Sequence, residues 1–198
     1  AMPLSGQNLD ATAELMKNLT EAPGPSGFEE AVREIVVREF DELGLDVQFD
    51  GLGSVLANGG YAADGPRVMV TAHLDEVGLM VQHITPDGFV RVKTLGGWLR
   101  QALPDQRWTI LGRQGPVTGV SGIRTIHVTP GSQRDRVWSL EETFLDLGAA
   151  SAAEVEAMGV RPGDGIAPQS DFVMLPNQRY AAKAWDDRVG LAVMLVAA

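Results

Sequence analysis

The chain contains no cysteine. That absence removes disulfides, thiolate metal sites and cysteine nucleophiles together, so any bound metal must be held by histidine and carboxylate. Positive charge is scarce as well: 16 lysines and arginines stand against 26 aspartates and glutamates, for a formal net charge of -10. No basic stripe interrupts this excess, which argues against nucleic acid, whose phosphates need one, and against acidic partners generally. Long apolar runs are missing too. The longest, at 189–198, falls short of the roughly 20 residues that span a bilayer, so no membrane partner is expected and the segment reads as a buried helix. Ala1-Met2-Pro3-Leu4-Ser5-Gly6 shows no basic region leading into an apolar one; no secretory signal is read, and the expected location is cytoplasmic. Gly-x-Ser-x-Gly and Walker motifs do not occur, and Gly51-Leu52-Gly53 lacks the third glycine and following helix of a dinucleotide fingerprint.

What is present is enough for a packed core: 198 residues, 44% of them hydrophobic. Leu9, Ala13, Met16 and Leu19 recur at helical spacing and stop before Pro23. After Pro23-Gly24-Pro25, Ser26 and Glu29 have capping-box spacing, and Phe28, Val32, Ile35, Val36, Phe40 and Leu43 make one apolar face ending at Gly44. Leu45, Val47 and Phe49 alternate with polar residues, predicting a half-exposed strand paired with a second near 54–57. The run 67–72 does not alternate, which predicts a strand covered on both faces in an α/β sheet.

From Gly78 to about Pro176 the texture becomes short strands punctuated by glycine, at 79–84, 89–94, 108–111, 115–120 and 123–128, with another starting near Phe144. This predicts a small β-barrel or sandwich. Ser151 and Glu154 cap a short helix closed by Gly159. After Pro176 a strand to Trp185 and a helix from Asp186 restore the α/β texture. The expected organisation is an α/β domain over 1–77 and 177–198, interrupted by a β domain over 78–176.

The chemistry concentrates at two strand ends. The first presents His73-Leu74-Asp75-Glu76, where alternation of side chains puts His73 and Asp75 on one face, so that Asp75 braces the imidazole of a metal-bound His73. Burying a histidine beside two acids is costly unless a cation compensates. The plainer reading is a core or rim histidine satisfied by a hydrogen bond. The second end presents Asp186-Asp187-Arg188, read either as a helix cap with an acid in the first turn and Arg188 paired to one of them, or as a second contributor to the site begun by His73. His83 and His127 read as surface or interface residues, Trp98, Trp108 and Trp138 as residues that pack or line an interface, and Glu141-Glu142 as a solvated acidic edge.

Taken with these ends, several segments carry a resemblance: Pro23-Gly24-Pro25-Ser26-Gly27-Phe28-Glu29, His73-Leu74-Asp75-Glu76-Val77-Gly78-Leu79-Met80-Val81, Gly119-Val120-Ser121-Gly122, Phe144-Leu145-Asp146-Leu147-Gly148-Ala149, Gly159-Val160-Arg161-Pro162-Gly163-Asp164 and Ala182-Lys183-Ala184-Trp185-Asp186-Asp187-Arg188-Val189-Gly190. In this order they resemble the M42 family of metallo-aminopeptidases, of the glutamyl aminopeptidase type. The resemblance implies a phosphorylase/hydrolase-like α/β catalytic domain, here partial, carrying an inserted barrel-like dimerisation domain, with dimers assembling into dodecamers. It implies two divalent ions, zinc or cobalt, with His73 binding one, Asp186 bridging both and Asp75 as the catalytic carboxylate behind His73. The substrate would be the N-terminal residue of a short peptide.

The family places its general-base Glu-Glu pair, another acidic ligand and a final histidine downstream of Asp-Asp-Arg, and this sequence stops at Ala198. The expectation is therefore an N-terminal portion of a longer enzyme, inactive or nearly so alone. Two other functions stay open: a non-enzymatic dimerisation module, and an amidohydrolase or deacylase on a related two-metal scaffold.

Overall fold

A computed structural model of the chain describes residues 9–60 and 65–198, which form two compact units. The N-terminal hexapeptide on which the signal reading rests lies outside the described residues. One unit takes in the described parts of 1–24, 29–74 and 171–198; the other comprises 25–28 and 75–170.

In the first unit, α1 (Ala11–Glu21) starts where the Asp10 carboxylate accepts the Ala13 N–H at 2.8 Å. This cap satisfies one of the donors that the first helical turn leaves without a partner. Helix α2 (Glu30–Glu42) buries Val32, Val36 and Phe40 and ends ahead of Gly44, whose φ of +73° suits a residue without a Cβ. A hairpin of β1 (Asp46–Phe49) and β2 (Val55–Asn58) follows, with Val47, Val55 and Ala57 packed against the core and Phe49 and Leu56 exposed.

Six strands of the second unit close a barrel: β3 (Gly78–Ile84), β4 (Val90–Leu95), β5 (Arg107–Gly112), β6 (Gly115–Gly122), β7 (Phe144–Asp146) and β8 (Gly165–Pro168), in the order β3-β4-β7-β6-β5-β8. Every pairing is antiparallel, and closure leaves no edge strand to pair with other chains. The alternate residues Leu79, Val81, Val90, Val92, Trp108, Ile110, Leu145 and Ile166 fill its interior. Trp98 leans on Trp108 with ring centroids 5.2 Å apart and donates its Nε1–H to the Gly78 carbonyl at 2.9 Å. The β3 ladder slips between Val81 and His83, and His83 lies exposed outside the barrel. Helix α3 (Ala152–Ala157) begins at Ser151, whose hydroxyl accepts the Glu154 N–H.

The first unit resumes with a hairpin of β9 (Val173–Leu175) and β10 (Arg179–Ala181), in which Phe172 stacks on Tyr180 with centroids 4.9 Å apart. It ends in α4 (Trp185–Ala197), which buries Arg188, Leu191, Ala192 and Leu195. No helix among the described residues is long and apolar enough to cross a membrane.

Five expectations need correction. Residues 67–72 belong to no strand; Val68, Met69 and Val70 are 78%, 84% and 58% exposed. An apolar run becomes a covered strand only when flanking strands supply ladder partners, and among the described residues none pairs with this segment. Residues 123–128 form no strand either: β6 ends at Gly122, and Ile126–Val128 make a short 3₁₀ turn with both apolar ends exposed. The strand expected up to Trp185 is only the short β10 of a two-stranded hairpin, because the chain turns at Ala184 with φ +56°. Helix α4 is buried on one face only, with Val189, Val193 and Val196 exposed. Ser26 does not cap α2, whose first turn has no side-chain cap bond; its hydroxyl serves another acid.

Candidate metal centre

The geometry starts with the backbone before α4. Asp186 (φ −89°, ψ 107°) and Asp187 (φ −120°, ψ 37°) lie inside the helical hydrogen-bonding span yet are not helical, and the peptide between them is cis. Three consecutive side chains there have three different fates. Asp186 projects into solvent with its side chain 94% exposed. Asp187 is half-buried and accepts the Gly190 N–H at 3.1 Å. Arg188 is fully buried, and its Nη1 donates to the carbonyls of Leu19 and Ala22 at the end of α1.

His73 and Asp186, 113 positions apart, meet with Nε2 and Oδ1 separated by 2.9 Å. The expectation that the histidine is buried does not hold, since its side chain is 54% exposed. An ion pair so exposed contributes at most about 1 kcal/mol, so stability alone gives little reason for the convergence. Asp75 belongs to the other unit, where the Ser26 hydroxyl donates to its Oδ2. Glu76 beside it is buried.

The pair His73 and Asp186 suits zinc or cobalt in kind: one imidazole nitrogen, one carboxylate oxygen and no sulfur. Catalytic zinc ordinarily takes three protein ligands, and among the described residues no group of three or more potential metal-binding side chains gathers. The two residues thus fit part of such a site.

Other candidates fall away. His127 is exposed on its 3₁₀ turn. Glu142 accepts from the Arg136 guanidinium and from the Ser139 N–H, which together hold its carboxyl down at about 2. Arg136 in turn lies 4.3 Å from the centroid of the Trp138 ring. This acid is engaged in holding a loop.

The profile of M42 glutamyl aminopeptidases matches residues 53–198. The chain belongs to the M42 glutamyl aminopeptidase family. Among M42 relatives, the lysyl aminopeptidase of Pyrococcus furiosus is 36% identical over 188 residues, which are 93% of this chain and 54% of that protein. The TET aminopeptidase of a marine-sediment Thaumarchaeota archaeon superposes with a TM-score of 0.89 at 39% identity, covering 96% of this chain and 53% of that one. The TET1 peptidase of Pyrococcus horikoshii, which can assemble into a tetrahedron or a large octahedral shell, gives a TM-score of 0.85 at 28% identity over 94% of this chain and 55% of its own. The chain spans about half the length of the curated M42 relatives it matches.

The signals missed in the sequence were local. Asp10, three residues before the Ala13 N–H it accepts, has cap spacing. At Asp187 the helix-cap alternative read for the tandem applies, since its carboxylate accepts the N–H of Gly190 three residues on. The bond from Ser26 to Asp75 joins residues 49 apart, and no sequence period announces it.

Proposed function

We propose that this chain carries the first part of the site of a dinuclear, zinc- or cobalt-dependent aminopeptidase that removes N-terminal residues from short peptides. The observation that carries this reading is the meeting of His73 Nε2 and Asp186 Oδ1 at 2.9 Å in a member of the M42 family. In this reading His73, through Nε2, and Asp186 would hold the divalent ions, and Asp75 would orient His73, as the His-x-Asp spacing supports. The chemistry that two bound divalent ions supply is polarisation of the scissile carbonyl and acidification of a water. His73 must be neutral at Nε2 to serve, and the exposed Asp186 carboxylate leaves room for a peptide terminus to approach.

A general-base glutamate and further ligands would come from residues beyond these 198, consistent with relatives of about twice the length. The domain plan proposed is 1–77 and 177–198 for the catalytic part and 78–176 for a dimerisation part, with dodecamers as the larger assembly. The closed barrel and the shells formed by the TET1 peptidase support it.

The test compares this chain with a version extended downstream on aminoacyl and N-acyl chromogenic substrates, with added zinc or cobalt. The extended protein should cleave aminoacyl substrates and this chain little or none. Cleavage confined to N-acyl substrates would point to a deacylase. If the extended protein is inert on all substrates and binds no metal, the enzyme reading fails. The exposed Leu99, Ile126, Val128 and Val137 of the barrel unit favour a second reading, a dimerisation module without catalysis. Its signature is a dimer that survives D75A and D186A in a protein that shows no hydrolysis at any length.

A further inference from the structure

Two adjacent carboxylates at the head of α4 pose a question of selection. Both would attract a cation, and a disordered tandem would offer mixed ligation. The structure separates them by a bond that looks purely local. The Gly190 N–H, in the first turn of α4, donates to Asp187 Oδ1 at 3.1 Å, a side-chain cap formed three residues back along the chain. A Cβ at position 190 would lie 2.5 Å from Asp187 Oδ2 and 2.6 Å from its Cγ. Only glycine allows the carboxylate to fold back so closely. Asp186 has no such tie in the helix and projects to His73 Nε2.

We infer that Asp187 and Gly190 are a positioning pair: the backbone N–H of Gly190 captures the second carboxylate, so that Asp186 alone is presented with His73. This rests on the metal reading above, with Asp187 placed as a positioning residue. The capping bond also fixes the start of the helix, and with it the backbone from which Asp186 projects.

The experiment titrates the downstream-extended protein with Co²⁺, read by calorimetry and by the visible absorption of bound cobalt, for wild type, D187A, D187N, G190A and H73A. Hydrogen exchange at the Gly190 amide is followed without metal in the wild type and the Asp187 variants. Asparagine keeps an oxygen acceptor, so D187N should retain both amide protection and cobalt affinity. D187A should lose protection, and both D187A and G190A should bind cobalt about tenfold more weakly, the low end of what loss of a residue orienting a ligand costs. H73A removes a ligand and should weaken cobalt binding more than either D187A or G190A.

Cobalt binding by D187A and G190A at wild-type strength overturns the positioning role and leaves the metal reading standing. Equal weakening in D187N and D187A overturns it as well, because charge and not the cap would then matter. Should the wild type take up no cobalt while amide protection follows the expected pattern, the metal reading fails and the capture of Asp187 by Gly190 stands. Unprotected exchange in the wild type overturns the capture itself.

Discussion

Arg188 places a charge in the interior of the first unit. Its guanidinium is fully buried and closes the carbonyl end of α1, where helices leave acceptors without partners. Sequence alone suggested a pairing with Asp186 or Asp187; the recorded bonds of Nη1 go to Leu19 and Ala22, residues far away along the chain. R188A should therefore destabilise the unit by about 3 kcal/mol, since it leaves buried acceptors unsatisfied. Urea unfolding followed by the fluorescence of Trp185 would measure it. Glu142 makes the opposite case, a charge pair at the surface. Its carboxyl is depressed to about 2, first by the Arg136 hydrogen bond and next by the Ser139 N–H. A depressed carboxylate contributes stability above its ordinary pKa near 4.5 and loses that contribution as pH falls toward 2. Between pH 5 and pH 2.5 the thermal midpoint of E142Q should accordingly fall less than that of the wild type, by a small margin because solvent screens the pair.

At the scale of elements, the barrel and α4 respond to opposite kinds of change. Ile110 and Leu145 are fully buried in the barrel interior, with Ile110 opposite Ile166 on β8. I110A should cost about 3 kcal/mol, the transfer term plus an unfilled cavity, measurable as a shift of the urea midpoint with unchanged slope. On α4 the exposed Val193 offers a control: V193S should change stability by less than about 0.5 kcal/mol. Periodicity located both helices of the N-terminal part and most barrel strands, because alternation and 3.6-residue spacing are local properties. It failed at 123–128, where β-branched residues promised a strand but β6 had already found its last partner at Gly122, opposite Phe144. It failed likewise at Ser26, whose hydroxyl found a carboxylate distant in sequence instead of its own helix.

For the whole molecule, the run 67–72 is the most instructive difference. Its composition is that of a sheet interior, yet in these 198 residues it is exposed. Backbone amides of Val68, Met69 and Val70 should exchange with solvent much faster than those of Leu79 and Val81 in the barrel, as mass spectrometry after deuterium labelling would show. Chemistry of the donor set was legible from composition: with cysteine absent, His73, Asp75 and Asp186 were the natural candidates. That His73 and Asp186 share one site was an expectation from the family resemblance and not from any local spacing, because 113 residues and a complete barrel lie between them in the chain. The sequence by itself determined which side chains are available as ligands, where the amphipathic helices run and that a glycine-punctuated β region forms its own core, all consequences of residue type and short-range spacing. Only the tertiary structure decided how the two aspartates of the tandem are parted, what Arg188 anchors and where Ser26 donates. Those outcomes depend on backbone angles at Asp186 and Asp187 and on contacts between distant segments, which no local pattern encodes.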